Sequence, residues 1–379
     1  MITRTKFLSV SYLAIVGLLC TCAPMLAASG GTSPSVFSIL SAENIEEITI
    51  ATNLTQLMEN RRSEAYVDAN LSYEKGKKQV VSYPIQLQVR GKFRRRICDF
   101  PPVKIKFAKK DLEAAGINKT YNSMKLVTHC MDDKEMGNEN VLKEYLTYKL
   151  FNELSPKSFR VHLVKVNYID TEGQVGKIKR YGILIEDTDE MAARLGGKEY
   201  EVMNVSRDSV APKDEAMVGL FQYMIANADW NLPMLRNVKL VLPEGSAKTI
   251  LVPYDFDFSG LVNASYALPQ TDKGLTSMRD RLYLGNTFDK AVMRSVMQHF
   301  ISHKQALLDI VKQFKPLNME ARADMEAYLS TFFDTIEPVY ADDTADLNLF
   351  FYKKNATPAD AKQSPQQGQG NGATSSLKK

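Results

Sequence analysis

Cysteine is scarce, with four in 379 residues. Two of them, Cys20 and Cys22, lie in the first two dozen positions. Past that start only Cys98 and Cys130 remain, which limits the chain to one intramolecular bridge. Long apolar runs are missing too. Beyond the first residues no segment reaches the roughly 20 apolar positions a membrane helix needs. Neither sign of charge dominates, since 48 Lys and Arg face 44 Asp and Glu, a formal net charge of +4. That balance gives no argument for a nucleic-acid partner. The four histidines are dispersed, with His129 and His162 on strand patterns. There is no metal-ligand spacing, no serine elbow and no internal repeat.

The start has a direction. Arg4 and Lys6 form a basic opening, an apolar run follows from Phe7 to about Leu19, and small residues appear at Ala23, Ala27 and Ala28. This order predicts a secretory signal peptide over residues 1–28. An uncleaved anchor and a lipid-modified Cys20 or Cys22 are the alternatives. Loss of Arg4 and Lys6, two cations and no acid, takes the charge from +4 to about +2. Export makes a Cys98–Cys130 disulfide chemically available. Two buried thiols fit the sequence equally well, because it does not fix their distance. A linker is expected over 29–40. From Lys353 to Lys379 the chain is rich in Gln, Gly, Ser, Ala and Pro, which predicts a disordered tail.

Between these ends, strand patterns come first. They are expected at Glu47–Ala51, Ala65–Tyr73, Pro84–Val89, Val103–Phe107 and Met124–His129, then as a hairpin at Arg160–Ile169 and Lys179–Ile185. Helices are expected at Leu54–Arg61, Asn140–Leu154 and Asp214–Ala226. Val238–Leu242 and Thr249–Pro253 read as strands, and the stretch from Phe288 to Tyr340 as helical. The fold class is α+β with two lobes: a β-rich one over 41–187 and a helix-rich one over 188–345.

Four places concentrate polar groups. NADW (Asn227–Trp230) ends an apolar helix, and PYDFDFSG (Pro253–Gly260) ends an apolar strand. Asp255 and Asp257, spaced i, i+2, share one side of an extended chain. With Asn237 they offer the oxygen ligands that Mg²⁺ prefers. Asp229 suits acceptance of a hydroxyl proton. Ordinary turn and cap chemistry is the plainer account of all of them. RGKFRRR (Arg90–Arg96) offers a glycine for backbone approach and four arginines for phosphate oxygens. A basic hairpin tip is the alternative. Lys104 and Lys106 share one strand face, and either suits a nucleotide phosphate; a charged outer face is the alternative. Glu139 or Glu144, early on the Asn140 helix, suits pairing with that lysine; otherwise they complement the helix dipole.

Together these segments resemble the spore-coat-protein-H (CotH) type of atypical kinases. RGKFRRR followed by KIKF is similar to that family's "RGN … KKxYKIKF". The hairpin through YGILIED resembles its strand pair ending in "YGVYLLxE". NADW, RNVKLV and PYDFDFSG resemble "NxDW … NNxxLY … PWDFD", and all occur in the same order across roughly Pro84–Val262. Lys92, Arg236 and Tyr254 depart from the family's Asn, Asn and Trp, changes that bear on activity more than on fold.

The resemblance implies a divergent protein-kinase-like fold, ATP with Mg²⁺ or Mn²⁺, and a protein or peptide hydroxyl as acceptor. Asp229 takes the catalytic acidic role, and Asn237, Asp255 and Asp257 hold metal. Lys104 or Lys106, with Arg90 and Glu144, serves the nucleotide phosphates, and Glu186 lies at the adenine hinge. The leader, taken by itself, points to the periplasm or cell envelope. A non-catalytic envelope protein on the same fold, and a metal-dependent phosphate hydrolase, remain as alternatives.

Overall fold

The period-2 segments of the first half close on themselves. In the computed structural model, which describes residues 33–76, 79–286 and 289–353, seven strands form a closed barrel in the order β1-β2-β3-β4-β5-β7-β6. The strands are β1 (Glu47–Thr52), β2 (Val67–Lys75), β3 (Gln79–Val89), β4 (Val103–Phe107), β5 (Ser123–Val127), β6 (Val161–Asp170) and β7 (Ile178–Ile185). Neighbours pair antiparallel except β1 and β6, which close the barrel in parallel, Thr49 beside Asn167. Nothing local announces that closure, because its partners are far apart in sequence. Alternation decides what goes inside. Ile48, Ile50, Ile85, Leu87, Val103, Ile105 and Phe107 join one buried apolar cluster. Truncating one of them, as in Ile105→Ala, would cost about 2–5 kcal/mol.

Pro84 sits inside β3 without breaking a ladder. It faces Asn70 of β2, and pairing with β4 begins one residue later, at Ile85.

Five helices decorate this half: α1 (Val36–Ala42), α2 (Leu54–Glu59), α3 (Arg94–Ile97), α4 (Lys109–Ala114) and α5 (Lys134–Leu154). The linker expected over 29–40 overlaps α1. Ser35 caps that helix, and its Val36, Phe37 and Leu40 are buried in the barrel's cluster, so these residues belong to the fold. Helix α5 begins earlier than its apolar stripe suggests. Asp133 accepts the Met136 N–H and starts it on a polar turn.

The second half is helical but not purely so. Helices α6 (Thr188–Arg194), α7 (Pro212–Met224), α8 (Lys290–Ser302), α9 (Lys304–Lys312), α10 (Met319–Ala341) and α11 (Leu347–Lys353) accompany a three-stranded sheet. Its strands are β8 (Gly197–Glu199), β9 (Val238–Pro243) and β10 (Ile250–Pro253), with β9 central. A second buried cluster joins α5, α7, β9, β10 and α8 to α11. The architecture is a mixed α/β fold, β-rich first and helical later. No helix among the described residues is long and apolar enough to cross a membrane. The expected leader, 1–28, and the expected tail beyond Lys353 lie outside the described residues.

Cys98 and Cys130 form a disulfide, their Cα atoms 4.5 Å apart. A backbone bridge between Phe100 and Cys130 brings the two segments together. Of the two readings left open by the sequence, the bridge is the one found.

Candidate functional site

The segments carrying Asp229 and Asp257 are stitched to each other directly. Helix α7 ends at Met224, the chain turns through Ala226 at a φ of 50°, and Asn227 forms a bridge with Ser259. Gly260 N–H donates to Ala226 O and Leu261 N–H to Ile225 O, both at 3.0 Å. A side chain at Gly260 would put its Cβ 2.3 Å from the Met278 carbonyl oxygen, so only glycine permits this approach. The Asn227 side chain then accepts the Asp229 N–H at 2.9 Å and fixes the turn.

Strand β10 is buried along its length and delivers Asp255 to the same place. The chain there is not extended, since Asp255 has a φ of 64°. Phe256 turns into the core against Tyr148 and Phe221. Asp255 and Asp257 nevertheless reach one partner, as their i, i+2 spacing suggests. Ala226, Leu235, Asn237 and Asp255 all hold left-handed backbone around this region. Such conformations cost on the order of 1–3 kcal/mol each and gather at functional sites.

These residues line one cleft of about 550 Å³. Asp229, Asn237, Asp255 and Asp257 line it together with Arg90, Gly91, Arg94 and Arg96. Gly91, at a φ of 86°, turns the arginine segment over the cleft. Arg95 points away, to the Ser63 carbonyl.

Arg94 is the centre of the charge pattern. Its guanidinium pairs with Asp255 through Nη2, with Asp257 through Nε at 3.4 Å, and with Glu144 through Nη1 at 3.6 Å. Arg94, Glu144 and Asp257 are only 5%, 2% and 3% exposed. One cation thus faces three carboxylates in a site of low dielectric. Burial pushes the Glu144 and Asp257 carboxyls up, and the Arg94 charge works against that rise. Tyr266 Oη donates to Asp257 at 3.2 Å.

Asp229 is more open. Asn237 Nδ2 donates to its backbone oxygen at 2.6 Å and to Oδ2 at 3.1 Å, while Arg236 lies 3.4 Å from Oδ1. Burial raises its pKa and the nearby Arg236 opposes this. Asn237 therefore acts first as a clamp on Asp229.

The oxygen-rich cluster fits a hard divalent cation. One carboxylate oxygen each from Glu144, Asp255 and Asp257 lies within 4.8 Å of the others. Ligands about 2.0–2.6 Å from a common centre span up to roughly 5 Å. Glu144 Oε1, wholly enclosed, has no hydrogen-bond partner among the described residues.

Three expectations need correction. Lys104 and Lys106 do not line the cleft. Val103, Ile105 and Phe107 fill the barrel, so the lysines take its outer face, with Lys106 over the Tyr66 ring. Glu144 pairs with Arg94 rather than with either lysine, and Glu139 pairs with Lys143. Glu186 is fully buried and spent on Arg160 and Arg194. Its carboxylate also accepts the Arg160 N–H at 2.6 Å, which leaves it a brace within the fold.

Sequence reasoning missed Lys125. It stands on β5 beside Lys104, its ammonium 4.8 Å from the Phe159 ring and 5.4 Å from that of Tyr254, a cleft residue. It donates to Thr188 Oγ1 at 2.7 Å. Burial, with the Arg90 and Lys239 charges, pulls its pKa down to about 7. A lone lysine in a short strand pattern carries no signal of this.

No family model matches the sequence, and no curated protein matches it. Among solved structures the chain is similar to a Helicobacter pylori proinflammatory kinase, CtkA, at 9% identity and a TM-score of 0.36. The match covers 61% of this chain and 90% of that one. So loose a likeness assigns no residue a role.

Proposed function

We propose that the chain is an exported, atypical kinase-like protein that transfers phosphate from ATP to a protein or peptide hydroxyl. The observation that carries this reading is the convergence of Asp229, Asn237, Asp255 and Asp257 on one cleft that Gly91 and its neighbouring arginines also line. Phosphoryl transfer asks little covalent work of a protein; it asks for positioning and charge neutralisation. Asp255 and Asp257 are the residues that would hold Mg²⁺ or Mn²⁺. The cation, when bound, supplies charge neutralisation on the phosphate oxygens. Arg90 and Arg96 present guanidinium donors to those oxygens. Asp229, clamped by Asn237, accepts the proton of the attacking hydroxyl; its raised pKa suits that task.

The test is ATP binding by the purified protein with and without Mg²⁺ or Mn²⁺, followed by transfer of labelled γ-phosphate to a protein acceptor. Metal-dependent binding and transfer support the reading, and their joint absence ends it. Mass spectrometry of the exported protein tests the location: a chain starting between about Ala23 and Gly31 is expected. Retention of Arg4 would sink that part.

A second reading has its own support. Arg94 fills the acidic cluster and Lys125 is folded beneath aromatic rings. Both arrangements suit a non-catalytic binding protein. ATP binding without transfer, or no ATP binding at all, favours it.

A further inference from the structure

The arginine at the centre of the acidic cluster comes from a short segment whose other side chains are mostly exposed. Arg94 is buried, while Lys92, Phe93, Arg96 and Ile97 around it are exposed. Helix α3, which carries it, is only four residues long. The segment is held at two ends, by the Arg90 N–H donated to Pro102 O and by the Cys98–Cys130 bridge. Between them, Arg94 ties α3 to the carboxylates, the Phe93 ring packs edge-on against Phe258, and Arg95 reaches the Ser63 carbonyl.

The tie is electrostatically incomplete. Three carboxyl groups surround one guanidinium, so a single cation serves three acids in one enclosed space. Glu144 Oε1, on a side chain nearly fully buried, is left without a hydrogen-bond partner among the described residues. A buried carboxylate oxygen in that state carries its desolvation cost uncompensated. Each of three guanidinium nitrogens meets a different carboxylate, so the group occupies the space between them. That is the space a common cation would take.

We propose that Glu144, Asp255 and Asp257 form a divalent-cation site, with Glu144 as a ligand, and that Arg94 and the cation exclude one another there. Arg94 is the internal plug of the site, and cation entry requires α3 to lift away. An all-oxygen set selects Mg²⁺ or Mn²⁺ over softer metals. The inference rests on the cation-site reading of the cluster and not on phosphotransfer. A variant that gains Mn²⁺ without turning over ATP would uphold it and defeat the kinase reading.

The experiment uses Mn²⁺ alone as probe, with free Mn²⁺ followed by electron paramagnetic resonance against the full-length protein. Arg94→Gln removes the charge and the fork. It is expected to bind Mn²⁺ at least tenfold more tightly than wild type. Arg94→Lys, which keeps one charge but cannot span three carboxylates, should fall between. Glu144→Gln in the Arg94→Gln background should remove the gain. Equal Mn²⁺ affinity of Arg94→Gln and wild type overturns the proposal, as does a gain that survives Glu144→Gln. Should Arg94→Gln fail to fold alone, its folding is followed with Mn²⁺ added. Recovery that Glu144→Gln abolishes supports the exchange, and no recovery overturns it.

Discussion

The Tyr148 hydroxyl accepts the backbone N–H of Asp255 at 2.8 Å. Tyr148 stands four residues after Glu144 on α5, so one helix face offers the cluster a carboxylate and braces a second one. The brace falls where the backbone is left-handed, at a φ of 64°. Tyr148→Phe leaves that N–H without its acceptor in a buried setting. The expected loss is about 1–2 kcal/mol in urea unfolding, together with weaker Mn²⁺-dependent ATP binding. A loss of stability with binding unchanged would show that the hydroxyl does not position Asp255.

The Cys98–Cys130 bridge closes a sequence separation of 32 residues. Chain-entropy reasoning gives it about 3–4 kcal/mol of stabilisation. The Cys98 N–H also donates to Arg94 O at 3.0 Å, so the bridge fastens the end of α3. The double variant Cys98→Ser, Cys130→Ser should unfold at lower urea than the oxidised wild type and match the wild type in reductant. Identical midpoints in all three samples would mean the bond contributes nothing.

The strands were legible because alternation is local: Val103–Phe107 is a strand with the inward set that its pattern implies. The site was legible in its parts, since Asp229, Asn237, Asp255 and Asp257 meet in one cleft. What stayed hidden depends on long-range pairing. The parallel β1–β6 closure joins distant segments, and Lys104 faces outward because the barrel's interior takes the opposite face. Arg94 was readable as a phosphate ligand from its basic run, yet its partners Glu144 and Asp255 lie 50 and 161 residues away. Glu186 was expected at an adenine hinge, yet two arginines from separate elements claim its carboxylate.

Lys125 gives a pH signature. Its folded pKa, about 7, lies below the unfolded value of about 10.4. Below pH 7 both states hold the proton and the cost of burying the charge is fully present. Between about 7 and 10.4 only the unfolded chain holds it, so stability rises with pH. Lys125→Met keeps the length and removes the titration. Its stability advantage over wild type should be largest below pH 7, on the order of 1–4 kcal/mol after allowance for partial solvation, and should shrink toward pH 10. Melting curves of both proteins across that range check the sign; a constant gap would place the lysine's pKa near its ordinary value.

Asp229 and Asp255 should separate binding from turnover. Asp255 touches Arg94 and belongs to the oxygen cluster, whereas Asp229 is held apart by Asn237 and Arg236. A cation ligand contributes to holding the nucleotide phosphates, so Asp255→Ala should abolish metal-dependent ATP binding. A proton acceptor contributes only as the hydroxyl attacks, so Asp229→Asn should bind ATP as wild type does and lose turnover by about 10²–10⁴-fold. The amide is isosteric and its oxygen can still accept the Gln270 and Arg236 contacts, but its NH2 group cannot accept from Asn237 Nδ2, so a melting curve of the variant accompanies the comparison. Calorimetric titration with ATP and Mn²⁺, paired with a γ-phosphate transfer assay, reads the two effects separately. If neither substitution changes ATP binding while both proteins remain folded, the cleft is not a nucleotide site and the kinase reading fails, whatever the cluster binds. If Asp229→Asn loses binding and turnover together, the carboxylate holds the nucleotide or its cation. The proton-accepting role then passes to another group in the cleft.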